Sequence, residues 1–363
     1  MLGGVDTHAR TSDATFPGWP NIIGDLLQSR DLDDATAFAA TCELLSGDTS
    51  TTHIAAFLIA LRAKGESAVE LAAMLRAVRN ASLQVRLSDA LSSTAMDIVG
   101  TGGDKSNSVN ISTMTSIVVA ACGVPVFKHG NRASSSQCGT ADVLDELGVI
   151  IELTPDGVAQ CLERAGIAFC LAPAFHPAFR HVGPTRRELG VPTVFNLLGP
   201  LANPAPITRM LVGVADAKMM EVMASALATR GVTDAWLVHG DGGLDELSLS
   251  GVNHVVALRD GSVTTHTVDA VDVGLTRASV DDLRGGDAAF NAQVVRSLLA
   301  GEHGVVRDVV LLNAAAALVV AGKAKDIATG MQLAQDALDS GRGAHVLETF
   351  VKESAAAAAN VAR

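Results

Sequence analysis

The chain has 363 residues, 48% of them hydrophobic and 18% charged, with a formal net charge of −12. This composition supports a substantial core in one or two domains and excludes global disorder. The acidic balance argues against a nucleic-acid face, yet it leaves room for a phosphorylated small molecule held by a few local cations and amides.

Residues 1–20 have no apolar stretch of the signal-peptide kind and read as a loose tail. The next segment is helical only. Asp34 opens a helix with Phe38, Cys42 and Leu45 on one stripe, stopping at Gly47. Thr51 or Thr52 then precedes Ile54 to Leu61, which is apolar nearly all round. A helix of that kind must be buried on every face, and in a small helical layer that implies a second subunit. Ser67 and Glu70 form a capping-box pattern before Leu71, Met74, Leu75 and Val78 at helical spacing.

From Met96 the pattern alternates short apolar strands with helices. Strands are predicted at Met96–Val99, Pro125–Lys128, Ile167–Ala172, Arg209–Val214, Ala235–His239, Val252–Leu258 and Val263–Val268. A helix over Pro155–Arg164 has Thr154 as its cap. Such alternation predicts a mostly parallel sheet covered on both faces. The last two strands, split by Asp260-Gly261, read as an edge hairpin. Residues 173–206 interrupt the pattern with seven prolines, too many for a central strand. That segment is expected to return to the helical layer. The fold class is therefore α/β, with a small all-helical domain (21–93 with 173–206) and a large domain (94–172 with 207–363), and a cleft between them. After Asp287 the chain is helical again. The five cysteines show no C-x-x-C spacing and fit a reducing cytoplasm, Cys122 and Cys170 as small core residues. No run reaches the length of a membrane span.

Chemistry concentrates between Met96 and Gly148. Gly100-Thr101-Gly102-Gly103-Asp104 follows the first strand, and Val109-Asn110-Ile111-Ser112-Thr113 opens a helix. A second strand end carries Lys128-His129-Gly130-Asn131-Arg132, with Ser134-Ser135-Ser136 leading to another helix. Glycines admit backbone N–H groups to a ligand, and a helix start adds unpaired N–H groups and a positive dipole end. The first turn is neither a Walker loop nor a dinucleotide fingerprint, because it lacks the Lys-Ser/Thr pair and the third glycine. Two such turns, one carrying Lys128 and Arg132, make a polyphosphate pocket. A third segment, Gly243-Leu244-Asp245-Glu246-Leu247, follows another strand and puts a carboxylate pair at the ligand edge of the sheet.

These three motifs resemble those of the anthranilate phosphoribosyltransferases, and the resemblance runs from about Asp31 to about Glu348. It implies transfer of the phosphoribosyl group from 5-phosphoribosyl 1-pyrophosphate to anthranilate, giving N-(5-phosphoribosyl)anthranilate and pyrophosphate, the second step of tryptophan biosynthesis from chorismate. It also implies a Mg²⁺ cofactor, while the all-apolar Ile54–Leu61 helix and the cysteine pattern point to a cytoplasmic homodimer. Gly100, Gly103 and Asp104 would form the phosphoribosyl loop, and Ser108, Asn110, Ile111, Ser112 and Thr113 would hold the pyrophosphate. Lys128, His129, Gly130, Asn131, Arg132, Ala133, Ser134, Ser135 and Ser136 would cover the phosphates. Asp245 and Glu246 would hold the metal, with Ser112 near it. Thr140 stands where the family often has serine, keeping the hydroxyl with an added methyl group. Cys138 also replaces a common serine and takes no role. Arg186 would meet the anthranilate carboxylate, with Gly100, Asn131, His129 and the Ala172-Pro173 turn around the ring. His176 and Phe179 are weaker candidates, and His176 is equally a structural residue.

No strong general base is evident, and none is required, because an aromatic amine is already neutral at pH 7. Positioning and stabilisation of the leaving group suffice, with His129 able to accept a proton late. The rival enzyme is a pyrimidine-nucleoside phosphorylase of similar fold, whose lysine loop lacks H-G-N-R. A non-catalytic phosphosugar-binding descendant would lose some of Lys128, Arg186, Asp245 or Glu246, all present here.

Overall fold

The computed structural model describes residues 16–133 and 137–361. Ser134, Ser135 and Ser136 fall outside it, as do residues 1–15 of the expected tail. The rest of that tail is not loose. Phe16 lies edge-on to Trp19 at 5.2 Å, and Trp19 is buried against Phe57 at 5.5 Å.

Five helices come first: α1 (Trp19–Leu27), α2 (Asp34–Ser46), α3 (Thr51–Lys64), α4 (Ala68–Asn80) and α5 (Asp89–Thr94). The Ser67–Glu70 capping box is formed, and Glu70 also accepts from Leu32 N at 2.9 Å and from Lys64 Nζ at 2.8 Å. Two local expectations are corrected. The cap of α3 is Ser50, whose hydroxyl accepts from His53 N, not Thr51 or Thr52. In α2 the buried stripe is Ala37, Ala40, Thr41, Leu44 and Leu45, while Cys42 is exposed and Phe38 half-buried beneath Arg76. α2 packs on α4, and the stripe combines the small Ala37 and Ala40 with Leu44 and Leu45.

The sheet strands are β1 (Met96–Gly100), β2 (Val126–Gly130), β3 (Ile167–Leu171), β4 (Arg209–Gly213), β5 (Asp234–His239), β6 (Val252–Arg259) and β7 (Ser262–Asp269). Their order is β3-β2-β1-β4-β5-β6-β7, parallel through β5 and antiparallel for the last two. The interleaved helices are α6 (Ile111–Ala121), α7 (Thr140–Glu146), α8 (Pro155–Ala165), α9 (Ala172–Phe175), α10 (Gly183–Leu189), α11 (Val194–Leu201) and α12 (Met220–Arg230), and the chain closes with α13 (Ala288–Leu299), α14 (Val305–Val320), α15 (Ile327–Asp339) and α16 (Arg342–Val361). α14 lies on α6 and on β4 and β5, and α12 lies on β5 and β6. Cys170 is fully buried as expected, whereas Cys122 is only half-buried, and none of the five cysteines forms a disulfide.

The proline-rich segment supplies α9 to α11 and a 3₁₀ turn over Pro177–His181. α10 and α11 pack on α3, α11 on α4, and the 3₁₀ turn on α2. The strand order reverses direction between β1 and β4, whose ends Gly100 and Gly213 are paired. In an open α/β sheet the crevice beyond such a reversal is the natural ligand site. No helix of the described residues is long and apolar enough to cross a membrane.

Candidate active site

The switch point is occupied by Asp245. Its carboxylate accepts from Gly102 N at 2.7 Å. A Cβ on Gly100 would overlap that carboxylate, and a Cβ on Gly213 would overlap the Asp245 carbonyl oxygen. Both strand ends must therefore be bare for this side chain to sit over the sheet. Asn313 on α14 clamps the next turn, accepting from Leu247 N at 2.9 Å and donating to Leu247 O at 2.8 Å.

Asp104 from the glycine turn joins Asp245 and Glu246, with one oxygen of each carboxylate lying within 4.8 Å of the others. Burial, then the charge of Asp104, raises Asp245 to about 6, and burial with both acidic neighbours pushes Glu246 well above the usual range. Glu246 Oε2 is buried without a hydrogen-bond partner. Three crowded carboxylates with an orphaned oxygen fit a hard divalent cation, which relieves their repulsion and takes oxygen ligands.

The turn between them is shaped for close approach. Gly102 and Gly103 adopt φ of 66° and 80°, and Lys105 and Asn107 also sit at positive φ. Ser106 caps Asp104 through N and Oγ at 3.1 and 2.9 Å. Asn291 on α13 ties the far side, donating to Asn110 Oδ1 at 2.9 Å. Asn110 begins α6 without a side-chain cap bond, so the helix start faces the turn with its dipole uncompensated. Lys128, at the middle of β2, is buried and donates to Ile98 O and to Ser112 Oγ, the latter at 3.2 Å. Burial lowers its ammonium to about 8, opposed by the charges of Asp97, Glu246 and Asp245.

A different set of side chains leads away from Lys128. His129 lies edge-on to His176 at 5.0 Å, His176 stacks on Phe179 at 5.0 Å, and Phe179 lies edge-on to Phe195 at 5.4 Å. The Arg186 guanidinium lies over Phe195 at 5.2 Å and makes one long hydrogen bond to Asn196 at 3.4 Å. Burial lowers its pKa, and no carboxylate pairs with it among the described residues. Burial, with the charges of His176 and Arg230, holds His129 well below the ordinary histidine value, so its ring is neutral at pH 7. Its Nε2 is buried without a hydrogen-bond partner. His176 falls to about 4 through burial and then the charge of Arg79.

A family model described as a glycosyl transferase family a/b domain matches residues 92–344, and the corresponding helical bundle domain matches residues 20–82. The chain is 48% identical over 340 residues to anthranilate phosphoribosyltransferase from Salinispora arenicola (strain CNS-205), covering 92% of this chain and 96% of that one. The chain belongs to the anthranilate phosphoribosyltransferase family. Its similarity to the anthranilate phosphoribosyltransferase from Rhodococcus jostii (strain RHA1) is 47% identity over 354 residues, covering 95% and 96% of the two chains. Among solved structures, anthranilate phosphoribosyltransferase from Thermus thermophilus matches with a TM-score of 0.86 and 41% identity, covering 92% of this chain and 99% of that one. The Saccharomyces cerevisiae anthranilate phosphoribosyltransferase in complex with PRPP and Mg matches with a TM-score of 0.85 and 28% identity, covering 93% and 98%.

In this anthranilate phosphoribosyltransferase-family chain the residues expected at the phosphates fall in several roles. Ser108 and Asn107 bond within the turn and to the 283–285 segment. Ile111 is wholly buried and offers only backbone. Thr113 and Thr140 hydroxyls meet at 3.4 Å. Arg132 is exposed and ion-paired with Asp142 at 3.1 Å and Asp145 at 3.4 Å, so it braces its own loop. Asp142 also accepts from Ala133 N and Gly139 N, each at 2.9 Å. Gly130 ends β2 half-buried, and Asn131 is exposed with Oδ1 on Arg132 N.

Several contributors carry no signal in the sequence. The motif puts Asp104 with the ribose, and its part in the carboxylate cluster follows only from the fold of the turn. Asp97, fully buried in β1, accepts from His129 N at 3.1 Å and Asn203 Nδ2 at 2.9 Å, and burial raises it to about 6. Gly213, Asn203, Asn291 and Asn313 carry no motif. A buried acid inside the apolar run Met96–Val99 is the one available signal for Asp97.

Proposed function

We propose that the chain transfers phosphoribose from 5-phosphoribosyl 1-pyrophosphate to anthranilate, releasing pyrophosphate. The observation that carries this reading is the meeting of Asp104, Asp245 and Glu246 over the switch point, with an uncommitted Arg186 at the far end of the ring series. Gly102, Gly103 and the start of α6 would take the phosphates, and Lys128 would contribute the buried cation. Asp104, Asp245 and Glu246 would hold Mg²⁺, with Ser112 adjacent, and Mg²⁺ there would neutralise charge on the leaving pyrophosphate. Arg186 would pair bidentately with the anthranilate carboxylate. That contact would orient the ring beside Phe179 and His176 and point its amine toward the ribose. The amine attacks as the neutral species, and His129, neutral with an unpartnered Nε2, accepts its proton late.

The same reading divides the chain into a helical domain (21–93 with 173–206) and a phosphoribosyl-binding domain (94–172 with 207–363). It joins two copies through α1 and α3, where Leu27 is 73% and Ile59 40% exposed. It places the enzyme in the cytoplasm, in keeping with five cysteines that form no disulfide. Incubation with phosphoribosyl pyrophosphate, Mg²⁺ and anthranilate should consume the fluorescent amine. Absence of turnover, or phosphorolysis of a pyrimidine nucleoside in its place, would overturn the reading.

A further inference from the structure

A second cavity, of about 460 Å³, opens between α4 and α12, lined by Ala72, Leu75, Arg76, Arg79, Asn80, Gln84, Thr229 and Arg230. None of these residues belongs to the site described above, and none is acidic. The concentration of cations is unusual for a chain of net charge −12. Arg76 is neutralised by a bidentate pair with Asp34 at 2.9 and 2.8 Å. The other two are not. Arg79 has its Nε buried without a hydrogen-bond partner and forms no ion pair among the described residues. Arg230 is spent on neutral acceptors, the carbonyl oxygens of Leu201, Asn203 and Ala205 and the sulfur of Met210.

Those contacts fix the Arg230 guanidinium in place before any ligand arrives, which removes part of the ordering cost of binding. Two half-buried guanidinium groups that form no ion pair among the described residues are favourably joined by an anion. The volume lies within the range of small-molecule sites, and Ala72 and Leu75 supply an apolar wall beside the charges.

We propose that this cavity binds a small phosphate monoester, its phosphate paired with Arg79 in the field of Arg230 and its organic body against Ala72 and Leu75. The open donor fork of Arg79 suits a phosphate dianion, the fixed charge of Arg230 adds to the attraction, and Asn80 offers a further polar contact at the rim. The site is independent of the transferase reading, because it shares no residue with the catalytic cleft.

Calorimetric titration of the full chain without Mg²⁺, using inorganic phosphate and then phenyl phosphate, tests this. Binding should persist in Lys128→Met, which removes a cation of the catalytic cleft. It should weaken at least tenfold in Arg79→Gln, and phenyl phosphate should bind more tightly than inorganic phosphate. Asn80→Asp places a carboxylate at the rim and should abolish binding while the fold, followed by circular dichroism, is retained. Equal affinity in wild type and Arg79→Gln, loss of binding in Lys128→Met, or equal binding of a carboxylate probe such as benzoate would overturn the proposal.

Discussion

At the phosphate end of the cleft, Gly100 and Gly213 lie side by side on adjacent strands and let Asp245 rest on bare backbone. At the aromatic end, His129, His176, Phe179, Phe195 and Arg186 meet only through their side chains, and those side chains come from β2, the 3₁₀ region, α10 and α11. The first region is rigid because the sheet register sets it. The second can adjust by rotamer changes and small helix shifts. Substitutions should accordingly be all-or-none at the first end and graded at the second.

The largest effect is expected from the carboxylates. Asp245→Ala with Glu246→Ala should lower kcat by roughly 10²–10³, the scale of losing preorganised electrostatic stabilisation. The assay must titrate Mg²⁺, and near-wild-type rates at limiting Mg²⁺ would remove these residues from the metal site. Gly213→Ala should come next. The added Cβ meets backbone, which cannot swing aside, so the variant should lose about 1–3 kcal/mol of stability along with its turnover. A chemical denaturation curve unchanged from wild type would show that the strand end is not built as tightly as its register implies.

Arg186→Ala tests the adjustable end. A charged bidentate contact contributes about 1.5–3 kcal/mol, so the KM for anthranilate should rise by roughly one to two decades while that for the phosphoribosyl donor changes little. Arg186→Lys should restore only part of the loss. An effect confined to the donor KM would move Arg186 to the phosphate site.

Asp97 sits where the two ends join, and its titration has a definite sign. Its folded pKa, about 6, lies above the ordinary value of 3.8, so the folded state holds the proton more tightly. The stability this gives is full below about pH 3.8 and is lost as pH rises through about 6. Asp97→Asn imitates the protonated acid but presents an N–H₂ where the carboxylate had accepted two hydrogen bonds. It should cost about 1–3 kcal/mol near pH 5. The deficit should shrink as pH rises from about 5 to about 7.5, because only the wild type loses its proton-linked contribution. A wild-type-minus-variant difference in Tm that stays flat across that interval would deny Asp97 the assigned titration.

The smallest catalytic effect is expected at neither end. Ile59→Glu should convert a dimer into monomers in sedimentation at micromolar concentration while leaving most of kcat intact, since the Ile59 side chain is exposed on α3 and belongs to neither set of residues. Wild type sedimenting as a monomer would refute the two-fold assembly itself.

Much of the phosphate end is legible in the sequence because its requirements are local. A strand followed by Gly-rich sequence, a hydroxyl-rich helix start and an acidic pair each carry their geometry within a few residues. The aromatic end is legible only as a resemblance around Arg186 and a His176 open to two readings. Phe179 is named there only as a weaker candidate, and nothing in Val194–Leu201 announces that Phe195 will join it between a histidine and an arginine. Asp104 shows the same limit within a recognised motif, since its type and place are evident and its partners are not.

The sequence by itself determined the alternation of strand and helix, the edge hairpin, the caps at Thr154 and Ser67, and the Gly-rich and hydroxyl-rich turns at the strand ends, because periodicity, turn chemistry and helix starts act over one or two turns of chain. The tertiary structure alone decided that the strand order reverses between β1 and β4 and that Gly213 faces Gly100 there. It alone brought Asp97, Asn203 and Asn313 behind the site, and Arg79 and Arg230 to one cavity. Those placements depend on which strands pair and which helices dock, and such choices are made by burial summed over the whole molecule, which no short stretch of sequence records.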